Sequence, residues 1–391
     1  MPSGQNKDNR DSSGVFDCIV VGAGIAGVSV ACELAQDRSV LLLEAESQPG
    51  YHATGRSAAF FTEAYGNETI RALTAASRAF FEHPPAGFAA HPLLTPRGAL
   101  YIGRADQREA LEDFFTRRHA LIEGLVRADA TFARQQVPIL KAAYVDGCVF
   151  EPGARQIDVH ALLQGYLRGF RSAGGTLVGN ARMEAAVRAD GHWQVRARGR
   201  LFRGRLLIDA AGAWADEVAV AAGAAPCGLQ PLRRTVCIVA LPTGMDCRRW
   251  PAMADVEDHF YCVPDNTRLL LSPADETPAI PGDAVPDDLD VAVAVDRLET
   301  ATTLDVRRVV HQWAGLRTFA PDRSPVVGFD PVVEDFFWLA GQGGYGIQTA
   351  PALSRCAASL VRGEGIPAAL NDLEVTDASL DPGRIQKMNS G

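Results

Sequence analysis

Apolar residues near the start of this chain come in short unbroken runs. Cys18–Val21 is one and Val40–Leu43 is another. Between them Ile25–Ala35 is almost wholly apolar or small. Runs of this length bounded by turn residues predict buried strands, and the longer stretch predicts a helix. The order is therefore strand, glycine turn, helix, strand, and then an acid, Glu44. Further on, Ile70, Leu73, Ala76, Phe80 and Phe81 recur near helical spacing and predict a helix over Glu68–Glu82, stopped by Pro84-Pro85. Helices are also expected over Arg108–Val126, Val159–Ala173 and Val291–Leu304. Strands are expected at 147–150, 176–180, 192–197, 205–210, 229–241, 260–263 and 268–271. A last strand, Phe336–Ala340, runs into the glycine-rich turn Gly341–Gly346 and a helix through about Arg362.

Alternation of helix and strand at both ends, with strands dominating between, predicts an α/β fold. It is a Rossmann-like dinucleotide domain built from separate stretches, with an inserted α+β domain on a mostly antiparallel sheet. The divisions expected are 15–66, 147–226 and 316–380 for the first unit, and 67–146 and 227–315 for the second. Residues 1–14 are polar and are read as a disordered tail, not a signal peptide.

The opening unit carries specific chemistry. Gly22 permits a tight turn, Gly24 lets the backbone approach a pyrophosphate, and Gly27 lets helix and strand pack closely. The phosphates then meet free N–H groups at the helix N-terminus. Glu44 stands 20 residues after Gly24, about the spacing at which an acid reaches a ribose hydroxyl. This motif alone leaves NAD and FAD open. The small residues ending Leu206–Trp214 allow close backbone approach to a ligand. The helix after Gly341–Gly346 offers a second N-terminus to a negatively charged ring edge.

With 391 residues and 47% hydrophobic content the chain fills two or three domain-sized units. Its net charge is −9 and no Lys/Arg run exceeds two residues, which argues against nucleic acid as the main partner. The eight cysteines form no CxxC pair, several lie in apolar runs, and the reading is a reduced, cytoplasmic setting, with peripheral membrane association left open. No stretch reads as a transmembrane helix. No histidine shows metal-ligand spacing, so no metal is expected, and no G-x-S-x-G element supports a Ser-His-Asp reading.

His52–Ala59, Ala64–Gly66, Arg71–Phe81, Pro84–Phe88, His91–Leu94, Gln164–Gly169, Trp313–Arg317 and Gln342–Thr349 together carry a resemblance. The chain resembles the D-amino acid oxidase and glycine oxidase class of FAD enzymes. More narrowly it is similar to bacterial FAD-dependent D-arginine dehydrogenase. The resemblance implies a glutathione-reductase-like FAD domain and non-covalent FAD. Beyond the motif residues it places Ala26, Ala45, Ala53, Thr54, Gly55, Arg56, Ser57, Ala58, Ala59, Met183, Ala211, Gly212, Gly343, Gly344, Gly346, Ile347 and Gln348 at the cofactor. Related dimethylglycine and sarcosine dehydrogenases attach flavin through a histidine in a context like that of His52; the stronger resemblance here is to enzymes that do not.

Oxidising an amino acid requires a clamped carboxylate, a neutral amine and a flavin N5 over the α-hydrogen. Arginine is the natural clamp. The resemblance assigns that role to Arg317 and, of the pair Arg233-Arg234, selects Arg234; on a strand only one of two neighbours can enter the pocket. It also places Tyr261, Tyr65, Gly315 and Gln348 at the reacting centre, and Phe60, Thr62, Ala99, Ala252, Met253, Ala254, Gly344 and Tyr345 around the substrate. Ala99 stands where D-arginine dehydrogenase holds its cationic substrate with a glutamate, and Phe60 replaces a histidine. An unpaired cation in an apolar pocket is costly. The expected substrate is therefore a neutral, apolar or aromatic D-amino acid, unless Glu63 or Asp255 supplies the missing acid. Oxidation yields an imino acid, then a 2-oxo acid and ammonia. A dehydrogenase using a quinone-like acceptor is favoured over an oxidase using oxygen. The alternatives are a glycine, sarcosine or cyclic secondary amine oxidase, and an electron-relay subunit of a complex.

Overall fold

The computed structural model describes residues 14–385; the tail expected over residues 1–14 lies, but for Gly14, outside them. Strand β1 (Val15–Val21), helix α1 (Ile25–Leu34) and strand β2 (Val40–Leu43) form the opening unit. They sit in an eight-stranded sheet. Its parallel part runs Thr176–Val178, β2, β1, Arg200–Asp209 and Phe336–Ala340. The hairpin Met183–Ala189/His192–Ala197 adds antiparallel to the start of Arg200–Asp209, and Val326–Phe329 adds antiparallel beside Phe336–Ala340.

Strand side chains alternate between faces, and here each face has its own core. Cys18, Val20, Leu42, Ile208, Phe337 and Leu339 pack under α1 and its neighbouring helices. Ile19, Val21, Leu41, Leu43, Leu207, Phe336 and Trp338 pack on the other side with Trp193. Burial on both faces is why these strands read as continuous apolar runs.

Helix α2 (Glu68–Glu82) has the expected bounds. The Asn67 side chain caps it by accepting from the Ile70 N–H at 3.0 Å. Its buried face, including Leu73 and Phe81, joins the first unit's core.

The second sheet has nine strands. Val309–Phe319 pairs along most of Gln230–Ala240, and Ala252–Asp255, Tyr261–Asp265 and Arg268–Ser272 continue the sheet. Every pairing in it is antiparallel except Ala252–Asp255 with Ala99–Gly103. Helix Asp288–Ala301 covers one face through Val291, Ala294 and Leu298, packed with Cys237, Val239, Leu269 and Leu271. The expected α/β fold with its Rossmann-like unit and mostly antiparallel second sheet is thus present.

Four placements differ from expectation. The helix begun at Arg108 ends at Thr116; Arg118 then turns back, donating to the Phe114 carbonyl at 3.2 Å, and Val126–Asp129 is an edge strand. Gly147–Glu151, expected in the first unit, pairs with Ala99–Gly103 in the second sheet. Val309–Phe319 runs unbroken through the division expected at residues 315/316. Helix α2, assigned to the inserted unit, packs on the first. Local periodicity locates an element but does not name the sheet it joins. Among the described residues, no helix is long and apolar enough to cross a membrane.

Candidate functional site

A cavity of about 510 Å³ lies beyond the carboxyl ends of the parallel strands, where open α/β sheets bind ligands. Gly22 follows β1, Glu44 follows β2, Ala210–Ala211 follow Arg200–Asp209, and Gly343–Gly344 lie in the turn after Phe336–Ala340. All of them line it.

The glycine turn is sterically required. Gly22 has φ of +98°, and a Cβ there would sit 2.5 Å from the Ala210 carbonyl oxygen; one at Gly27 would sit 1.8 Å from the Gly22 oxygen. Gly27 therefore does not line the cavity. It lets α1 press on the strand end, as its spacing predicts. Helix α1 starts at Gly24 with no side-chain cap bond and no acid in its first turn. The Ile25 N–H reaches Thr54 Oγ1 at 3.0 Å, which leaves the other first-turn donors for an anion. Helix Gly346–Arg362 opens on the same cavity, also without a side-chain cap bond or an early acid.

The Glu44 carboxylate lines the cavity while accepting from the Ala23 N–H at 2.7 Å and the Glu46 N–H at 2.9 Å. Burial raises its pKa and those two bonds oppose the rise. Each oxygen retains acceptor capacity toward a hydroxyl. Ala26, Ala45, Ala53, Thr54, Arg56, Ser57, Ala58, Met183, Ala211, Gly212, Gly346 and Ile347 also line the cavity. Gly55 and Ala59 do not: the Gly55 N–H closes a turn on the Gly50 carbonyl, and the Ala59 carbonyl accepts from Ile157. The Arg56 side chain, besides lining the cavity, braces the protein. It donates to the Ala284 and Ala314 carbonyls, each at 3.0 Å, and pairs with Asp283. Trp214 and His52 line the cavity 4.6 Å apart, and His52 Nε2 meets Glu46 at 2.9 Å. Trp214 and Glu46 went unassigned in the sequence, where no local pattern marks them.

At the other end, register explains which arginine enters. Arg234 faces Gly315 across the ladder, and Arg317 lies two residues on, so all three share one face. Arg233 points the opposite way, 2.7 Å from Asp290. Arg317 donates to the Tyr65 hydroxyl at 3.3 Å and to the Tyr261 hydroxyl at 3.5 Å. No carboxylate among the described residues lies within ion-pair distance of it. Burial opposes its charge, but Tyr261, Tyr65 and Tyr345 hold its pKa above the ordinary arginine value. Arg234 differs: it donates to the Asp275 carbonyl at 2.8 Å and pairs with Glu276 at 3.2 Å, which also takes Arg323 at 2.7 Å. Asp258, with φ of +58°, sits on the turn before Tyr261. Loss of solvent pushes its carboxyl up, and Arg234 and Arg317 pull it down.

The expected pocket residues divide. Phe60, Ala99 and Ala254 share an apolar cluster with Ala64 and Tyr101, and Ala252 alternates onto the same face as Ala254. Met253 faces the opposite way into the core with Leu100 and Ile102, so it forms no wall. The Tyr345 ring lies tilted against that of Tyr65, centroids 4.9 Å apart, and Gly344 admits Arg317 closely: a Cβ there would lie 2.9 Å from its Nη1. Gln348, expected at the reacting centre and cofactor, lines no part of the cavity. Its amide bridges the Thr62 N–H at 3.3 Å and Thr74 Oγ1 at 2.9 Å. Thr62 is likewise drawn inward, to Glu151 at 2.6 Å and Tyr101 at 2.9 Å. Glu151 was missed because the strand was expected to end at residue 150.

Asp255, Glu257 and His259 also converge, with ligand atoms within 4.8 Å of one another. The Gln107 amide already donates to both carboxylates, at 3.1 and 2.7 Å.

A family model described as FAD dependent oxidoreductase (DAO) matches residues 17–360. Human mitochondrial dimethylglycine dehydrogenase is 24% identical over 85% of this chain, which spans only 40% of that protein's length. An uncharacterized oxidoreductase of Bacillus subtilis, YurR, is 27% identical over 62% of this chain and 64% of its own. Among solved structures, L-proline dehydrogenase from P. horikoshii superposes with a TM-score of 0.81 at 17% identity, covering 96% of this chain and 98% of that one. Glycine oxidase from Geobacillus kaustophilus gives 0.79 at 21%, covering 89% and 95%.

Proposed function

The chain belongs to the DAO family of FAD-dependent oxidoreductases, and from that premise we propose that it oxidises the amine-bearing α-carbon of a neutral D-amino acid. The product is an imino acid, which water converts to a 2-oxo acid and ammonia. FAD is the cofactor, and when bound it supplies the two-electron acceptor. Helix α1 and the turn at Gly22–Gly24 suit its pyrophosphate, and Glu44 suits a ribose hydroxyl. The N-terminus of Gly346–Arg362 suits the electron-rich end of its ring.

The observation that carries this reading is Arg317. A half-buried guanidinium without a carboxylate partner, held by two tyrosines at the end of a cofactor cavity, lacks the anion such a group ordinarily has. A substrate carboxylate meets its planar fork through two bonds. Arg234 already has Glu276, so it shapes the site's charge and leaves the primary clamp to Arg317. The backbone carbonyl of Gly315 is assigned to the substrate amine.

A neutral side chain is supported by the engagement of the nearby acids other than Asp258, which has the charges of Arg234 and Arg317 beside it. Glu63 pairs with Arg78, Asp255 with Gln107, Glu276 with Arg234 and Arg323, and Glu151 with Thr62. Phe60, Ala99 and Ala254 belong to one apolar cluster, which lies outside the cavity lining and offers no charge to a cationic side chain. The D configuration and a quinone-like acceptor rest on the resemblance to D-arginine dehydrogenase. Non-covalent FAD is supported by His52, whose Nε2 is held by Glu46; flavin that stays with the denatured chain would refute it.

A second reading, oxidation of glycine, sarcosine or another secondary amine, is favoured by the match to dimethylglycine dehydrogenase over 85% of this chain. One experiment separates the two. The FAD-loaded protein is mixed without oxygen with D- and L-leucine, methionine and phenylalanine, with D-arginine and D-lysine, and with glycine and sarcosine, and bleaching is followed. Fastest bleaching by the neutral D-amino acids is expected. Faster bleaching by D-arginine or D-lysine would show that Asp258 or another acid serves a cationic side chain, and faster bleaching by sarcosine would establish the second reading.

A further inference from the structure

Tyr65 lies on a segment, Thr62–Gly66, that belongs to no helix or strand, so its carbonyls need donors from elsewhere. Two arginines supply them. Arg118 Nε donates to the Ala64 carbonyl at 2.7 Å, and Arg71 Nη1 donates to the Gly66 carbonyl at 3.1 Å. These carbonyls flank Tyr65 on either side. Neither arginine has a carboxylate within ion-pair distance among the described residues, and Arg71 Nε is buried without a partner.

Partly buried arginines ordinarily gain a carboxylate. These two gain main-chain oxygens instead. Arg118 is locked further by its bond to the Phe114 carbonyl and by lying 4.0 Å over the Phe114 ring. Burial lowers its pKa, and the like charge of Arg71 lowers it again. The arrangement works against the Arg118 charge, and what it secures is the placement of one short segment.

We propose that Arg71 and Arg118 are positioning residues for Tyr65, gripping the chain on both sides of it so that its hydroxyl meets Arg317. The proposal rests on Arg317 being the carboxylate clamp. Neither arginine touches substrate. They act through the tyrosine, which sets the direction of the Arg317 fork.

The test is a double-mutant cycle on the FAD-loaded protein. Binding of propionate, an unreactive carboxylate, is read from the flavin spectrum, and KM, kcat and Tm are measured alongside. Arg118→Met should weaken propionate binding and raise KM by about tenfold, the scale of one charge-assisted hydrogen bond, while kcat changes by less than about twofold. Arg118→Lys, which retains one donor, should recover part of the loss, and Arg71→Met should act in the same direction. In a Tyr65→Phe background, where the hydroxyl is already gone, Arg118→Met should change propionate binding by less than about twofold, since residues that act through one contact are not additive. An equal loss in both backgrounds, or unchanged binding in Arg118→Met and Arg71→Met while Tyr65→Phe weakens it, overturns the proposal. Unchanged propionate binding in Arg317→Ala would instead remove the clamp on which it rests.

Discussion

Ala99 and Glu151 face each other across neighbouring antiparallel strands, so both side chains leave the second sheet on one side. The acid absent at 99 is thus present one strand away. It is not open to a ligand: Glu151 is 2% exposed, and it accepts from Thr62 Oγ1 at 2.6 Å and the Glu63 N–H at 2.9 Å.

Burial raises the Glu151 pKa from 4.5 to about 7, against the pull of Thr62 and the Glu63 N–H. A carboxyl raised on folding stabilises fully below its unfolded value and loses that contribution as pH climbs through the folded one. Relative to Glu151→Gln, the native protein should lose roughly 3 kcal/mol of stability between about pH 4.5 and 7. Urea unfolding of both proteins across that range checks it; a constant difference would mean that folding does not raise the carboxyl's pKa.

Arg317→Ala should weaken a bound carboxylate by roughly 2–5 kcal/mol, because it removes a desolvated charge pair. Arg317→Lys should recover only part, having one point charge in place of a fork. Flavin-difference titration with an unreactive carboxylate gives both values, and near-native affinity in the alanine variant would move the clamp elsewhere.

Gly27→Ala should yield a colourless or insoluble protein. The added methyl would meet the Gly22 carbonyl at 1.8 Å, a main-chain atom that cannot rotate away. Flavin content per chain after purification is the measurement, and full yellow occupancy would show that α1 can shift.

Gln348→Leu should cost roughly 1–3 kcal/mol of stability, because it strands the Thr62 N–H in the interior and removes the donor to the Thr74 hydroxyl, which keeps only its bond to the Ile70 carbonyl. Its carboxylate affinity should stay near native, since the amide lies outside the cavity. A large affinity loss without a fall in Tm would restore the ligand-contacting role that the sequence suggests.

The glycine-turn end of the cavity was the more legible part. The turn after β1, the acid after β2 and the last strand-to-helix turn are each written within a few tens of residues, and nearly every residue expected there reaches the cavity. Gly27, Gly55, Ala59 and Gln348 stand outside it, because main-chain approach and side-chain contact look alike in a linear motif. At the other end strand alternation showed that only one of Arg233 and Arg234 could enter, and the resemblance chose Arg234. Met253 was misplaced although alternation already sets it opposite Ala252 and Ala254; which of the two faces turns toward the site depends on the register with Ala99–Gly103, which no single strand contains.

The sequence by itself determined the dinucleotide frame, since strand, glycine turn, helix and acid are short-range geometry that the local chain enforces. Which charges remain free was decided only in three dimensions. Glu276 meets Arg234 from 42 residues away, Arg118 meets Ala64 from 54, and Gln348 meets Thr62 from 286. Hydrogen bonds and ion pairs join groups by distance in space, so an arginine left without a carboxylate becomes visible only after every other partner has been placed.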